Sequence, residues 1–257
     1  MAIAYTEKGT DDDKSSGLTL AVNSVQLDAS SAPVALLAYL AYDDGDGHPV
    51  VEWGQQDLMP RQRTSGNGLT LAMYKMVKKR GDNTNACIAT WDTTAPTAKT
   101  MILIEAAEAT KIDRKGGNAQ AAETDPGSGK EQNTTFDDEL FIAAFASEGP
   151  PSDTRGTFQN GFTAGQRVGT SGAPPISNIT LDTGYKIVTA KETTRARKTG
   201  ATERDHVTLL TMLYDPTAQS ILIGLWECST CGFQSDIKSD FRDDEGNIAC
   251  PICGDTF

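Results

Sequence analysis

The apolar residues of this chain come in short runs, among them "LTLAV", "APVALLAYLAY", "PVVEWG", "LTLAMYKMV", "NACIATW" and "KTMILIEAA", each closed off by Asp, Gly, Asn or Pro. A helix of useful length needs an apolar stripe of period 3.6 held over a longer window. Runs of about five to ten residues between turn-forming residues are what strands leave in a sequence. The fold class that follows is mainly β, with strands packed as a sandwich. Even "LTLAMYKMVKKR" (69–80), rich in helix formers, alternates through Leu69, Leu71 and Met73 in the manner of a strand. A chain of 257 residues is long enough to bury a core without disulfide or metal staples.

The first half echoes in the second. "APVALLAYLAYDD" (32–44) resembles "DDELFIAAFASEG" (137–149), "RQRTSGNG" (61–68) resembles "GQRVGTSG" (165–172), and "WDTTAPTAKTMILIEA" (91–106) resembles "YDPTAQSILIGLWE" (214–227). Two readings stand: similar hairpins that arose independently from the same turn chemistry, or a duplicated β unit whose halves pack face to face. Residues 1–17 are polar and acidic and read as a flexible N-terminal arm; 18–226 read as the β-sandwich domain and 227–257 as a separate C-terminal module. "IDRKGGNAQAAETDPGSGKEQNTT" and "EGPPSDTRGTFQNGFTAGQRVGTSGAPPIS" read as two long irregular loops, the usual interaction surface of a sandwich.

The C-terminal module carries Cys228 and Cys231, then Cys250 and Cys253, as two Cys-x-x-Cys pairs, each followed by Gly. Two such turns present four thiolates to one tetrahedral ion, and four cysteines leave no open position for catalysis, so the site is expected to be structural. Zinc and iron both accept this donor set. Zinc is favoured here, because Phe233, Phe241 and Phe257 are few aromatics for a rubredoxin-like core; electron transfer through iron is the alternative, and disulfides a further one in an oxidising compartment. Between the pairs, "DIKSDFRDDEGN" reads as an acidic finger.

A net charge of -12 argues against nucleic acid as the partner of the whole chain, and no stretch approaches the length of a membrane-spanning helix. The start "MAIAYTEKGTDDDKSSG" lacks the pattern of a secretory signal, which leads to an expectation of folding in a reducing cytoplasm. General acid-base chemistry has little to draw on. His48 lies in a turn context, His206 begins a strand, and no nucleophile elbow, zinc-protease or phosphate-loop motif is present. The acidic clusters "DDGDG" (43–47), "TDDDK" (10–14) and "DDE" (137–139) read as solvated faces, with calcium at the first and glycosidase chemistry as weaker readings. Cys87 reads as a small buried hydrophobe, and "TTRARKTG" (193–200) as a solvated basic turn or a docking patch.

Two resemblances follow from these residues. The turns "CSTCG" and "CPICG" look like the knuckles of zinc ribbons and rubredoxins. The succession "VVEWGQQDLMP", "GLTLAMYKMVKKRGDNTNACIATWDTTAPTAKTMILIEAAEATKID", "DDELFIAAFAS", "FQNGFTAGQRVGTSG", "GYKIVTAKETTRARKT" and "HVTLLTMLYDP" resembles β-sandwich structural proteins of tailed-bacteriophage virions. The second resemblance implies a non-enzymatic virion component, a capsid decoration protein or a tail or fibre accessory. It would be homo-oligomeric and partnered by the major capsid protein or the tail. A carbohydrate-binding module using aromatics such as Trp53 or Phe158, and a cellular zinc-ribbon or rubredoxin-like redox protein, are the competing classes.

Overall fold

The computed structural model describes residues 3–27, 34–43, 47–78, 84–92, 94, 96–174 and 177–216, together with the backbone of 226–227 and 234–235. The chain divides into two units, residues 1–215 and 216–257. The boundary lies upstream of the 226/227 junction expected from sequence.

The first unit is built from strands in two halves. β1 (Ala4–Asp13), β2 (Thr19–Gln26), β3 (Val34–Asp43), β4 (Val50–Trp53), β5 (Gln56–Gly66), β6 (Leu69–Lys78), β7 (Thr84–Thr90) and β8 (Lys99–Ala107) form one antiparallel sheet in the order β1-β8-β3-β6-β5-β4-β7-β2. The second half contributes β9 (Lys111–Glu123), β10 (Gln132–Asn133), β11 (Asp138–Glu148), β12 (Arg155–Phe158), β13 (Thr163–Gly169), β14 (Ile179–Thr189), β15 (Thr193–Thr194), β16 (Lys198–Ala201) and β17 (Arg204–Tyr214). Its main sheet runs β13-β14-β11-β17-β9, and the pairs β10–β15 and β12–β16 lie outside that sheet.

The strand order repeats. Taken in chain order, β1, β3, β5, β6 and β8 take the sheet places that β9, β11, β13, β14 and β17 take in the second half. Two of the three sequence echoes fall on equivalent strands, β3 with β11 and β5 with β13. The third does not. The counterpart of β8 is β17, whereas the matched stretch 214–227 begins where β17 ends and lies mostly outside the described residues.

Three apolar layers hold the unit together, and their arrangement explains why the central runs are so uniformly apolar. β3 sends Leu36, Ala38, Leu40 and Tyr42 to one side, where the first sheet curls over them with Trp53, Trp91 and Cys87. Its other side sends Leu37 and Tyr39 into a second layer with Leu71, Met73, Ile102 and Ile104, closed by Leu140, Ile142, Leu181 and Leu209 of the second sheet. Phe141 and Phe145 leave the far face of that sheet to meet Phe162, Val188 and Met212 in a third layer. A strand covered on both faces reads as a continuous apolar run, because neither of its alternating faces meets water.

Two expectations are corrected. The expected N-terminal arm is a strand: β1 pairs with β8 from Ala4↔Ala107 to Asp13↔Lys99, and Tyr5 stacks on Tyr185 of the second half at 4.1 Å. Two of its charges are matched across the sheet, Lys8 at 3.0 Å from the buried Glu105 and Asp13 at 2.8 Å from the buried Lys99, while Glu7 and Asp12 face solvent. The first half of the first expected loop is β9, where Gly117 permits close approach to β5; a Cβ there would collide with Thr64. The second contains β12 and β13.

Candidate functional site

The proposed metal ligands Cys228, Cys231, Cys250 and Cys253 lie outside the described residues. The backbone flanking the first pair is described: Trp226–Glu227 pairs antiparallel with Gln234–Ser235, so a two-residue ladder brackets the stretch holding Cys228 and Cys231. Among the described residues no group of three or more His, Cys, Asp or Glu is placed to hold a metal ion.

The densest charge cluster of the first unit is built around Asp182 on β14. Its carboxylate is 2.6 Å from Lys198 Nζ, 2.9 Å from Arg155 Nε and 3.7 Å from an Arg167 guanidinium nitrogen. The Lys198 ammonium also sits 4.8 Å from the ring centres of Phe145 and Phe158. Burial pushes Lys198 down to about 8, the Asp182 carboxylate working against that fall and Arg155 and Arg167 adding to it. Arg204 is engaged separately, at 2.8 Å from Asp153. The cluster therefore locks β12, β13, β14 and β16 together. It also absorbs part of "TTRARKTG": Lys198 is buried and Arg197 faces Asp125 at 3.3 Å, while Arg195 and Arg197 line a polar groove with Gln120 and Glu123.

The histidines separate as well. His48 is exposed and accepts at Nδ1 from the Arg63 guanidinium at 2.8 Å. His206 is buried on an interior strand, and burial lowers its pKa with a further push from Lys198. Cys87 is the buried hydrophobe expected, its thiol pushed up to about 12 by burial. Asp43 accepts from Thr97 Oγ1 and from the Ala98 backbone N–H. Glu139 is wholly buried, accepts from the Phe136 N–H at 3.0 Å, and is pushed up to about 8 by burial, with Asp113 raising it further. Trp53 is buried and donates from Nε1 to Val25 O, and Phe158 is half-buried edge-on against Phe145. Neither aromatic is free to serve as a sugar platform.

Two grooves with exposed apolar side chains remain open. A groove of about 530 Å³ is floored by Val51, Leu58 and Tyr74, with Val50 and Met59 half in water, and is edged by His48, Arg61 and Arg63. A second groove of about 440 Å³ shares Arg61 and adds Lys75, Val77, Lys111 and Ile112. Lys75 is pushed down to about 8 by burial first and by Arg61 and Lys111 next. Among the described residues nine cations form ion pairs, namely Lys8, Lys99, Arg114, Arg155, Arg167, Lys186, Arg197, Lys198 and Arg204. Arg61, Arg63, Lys75 and Lys111 form none among the described residues, and the one carboxylate lining the two grooves is Asp57. Sequence reading missed these grooves because their cations are spread from 61 to 111; the visible trace is Arg61 and Arg63 flanking Gln62, and a lysine inside the apolar run of β6.

Comparison with protein-family models, with curated proteins and with solved structures finds no match to this chain.

Proposed function

We propose that this chain is a non-enzymatic structural protein of a tailed-phage virion, a capsid decoration protein that works as a homo-oligomer against the major capsid protein. The observation that carries the reading is the contrast between a doubled β body tied together by buried ion pairs at Glu105, Lys99 and Asp182 and two open grooves whose lining sets four cations against one carboxylate, Asp57. A body of this kind is suited to be held in place by another surface. The repeated strand order supports descent from one duplicated β unit. A tail or fibre location uses the same grooves and is the alternative. A sugar-binding module has lost its two candidate platforms, since Trp53 is buried and Phe158 is packed beneath Arg155 and Lys198.

At the C-terminus, Cys228, Cys231, Cys250 and Cys253 would hold one zinc ion as four thiolates, a donor set that closes the ion's coordination and confines its role to structure. The test of the functional reading is the protein content of purified virions. Hundreds of copies per particle support decoration and a few copies support a tail part, while absence from the particle overturns both.

A further inference from the structure

The open grooves call for an occupant, and their chemistry narrows the choice. In a chain of net charge -12, four cations line two grooves that share Arg61, and Asp57 is the one carboxylate in their lining. Like charges held together cost free energy unless something outside neutralises them. Between them lie exposed apolar side chains: Val50 at 50%, Met59 at 52% and Val77 at 46% accessibility. Exposed apolar area rimmed by charge marks an interaction site.

Nucleic acid fits this surface poorly. Single-strand binders stack bases on aromatic side chains, and the aromatic of this groove, Tyr74, is 4% exposed. Strand addition is also disfavoured. β4 stops pairing with β5 at Leu58, but next come Pro60, which has no N–H to offer, and a register shift at Arg61. The occupant must be recognised through side chains.

We propose that the two grooves meeting at Arg61 bind an acidic polypeptide segment of a partner protein, its carboxylates facing Arg61, Arg63, Lys75 and Lys111 and an aliphatic or aromatic side chain lying against Val50 and Met59. This deepens the assembly reading and rests on it for the identity of the partner. The groove can be tested apart from the virion.

The experiment measures fluorescence anisotropy of the full chain with three labelled probes. These are a peptide of about twelve residues alternating Asp and Glu around a central Leu-Phe, the same peptide with Asn and Gln, and a single-stranded DNA of similar length, each at low and at near-physiological salt. The acidic peptide should bind and weaken as salt rises, and the amide peptide should bind at least about tenfold more weakly. Arg61→Glu with Lys111→Glu should cost at least about tenfold with an unchanged thermal midpoint, and Val50→Ser with Met59→Ser should weaken binding without removing its salt dependence. If the charge reversal perturbs folding, Arg61→Gln with Lys111→Gln answers the same question. The proposal is overturned by no peptide binding at about 1 mM, by affinity indifferent to these substitutions, or by tighter binding of DNA than of peptide. Absence from virions with peptide binding intact would sink the virion reading and leave the groove assignment standing.

Discussion

Asp182 shows how much of this protein's stability hangs on single carboxylates. Three cations converge on it in a buried setting, so removing its charge strands them together in low dielectric. Asp182→Asn should lower the unfolding free energy by about 3–5 kcal/mol, read from urea denaturation, because breaking a buried pair leaves its partner uncompensated. Asp182→Leu combined with Lys198→Met should lose less than the two single changes summed, since each removes the charge the other would strand. Glu139 makes the opposite case. Its folded pKa is about 8 against an ordinary value of 4.5, so between those limits the folded chain keeps a proton that the unfolded chain has released. Stability should therefore fall as pH rises from about 5 to 8, and Glu139→Gln should flatten that decline. Denaturation midpoints that move equally with pH in both proteins would show that another group governs the slope.

Among the strands, those easiest to foresee were the ones buried on both faces. β3, β6, β8 and β11 carry long apolar runs because both of their alternating faces lie in a core. β1 and β9 escaped notice for a shared reason. They occupy equivalent edges of the two sheets, and their polar residues are satisfied by partners remote in sequence: Asp13 by Lys99, Lys8 by Glu105, and the Gly116 carbonyl by Gln62. A local pattern cannot reveal a strand whose apolar face is small and whose charges are answered about a hundred positions away. Separation in sequence hid the basic grooves too, their cations lying between 61 and 111, whereas the spacing of Cys228, Cys231, Cys250 and Cys253 stands out because these residues are close in sequence. Deleting residues 1–14 should uncover the β8 edge and take from the buried Lys99 its Asp13 carboxylate, lowering stability by about 3 kcal/mol or more and promoting aggregation. Static light scattering together with urea denaturation measures both effects.

At the scale of the whole chain, two units with separate sources of stability are expected to unfold separately. Residues 1–215 have three apolar layers, whereas the second unit, residues 216–257, would draw its stability from the zinc proposed for its four cysteines. Elemental analysis should give one zinc per chain, and chelation or Cys250→Ser should abolish the C-terminal transition while leaving the larger one in place. Iron as the bound metal, or a single transition lost with it, would overturn that division. The shared central layer has a further consequence, for synthesis. Leu37, Tyr39, Leu71, Met73, Ile102 and Ile104 face partners about a hundred residues downstream. At roughly 5–20 residues per second, the emerging first half waits on the order of 5–20 s at the ribosome with that surface bare. Until the second half has emerged, that surface is open to the apolar faces of other nascent chains, and the first half depends on whatever covers it in the meantime.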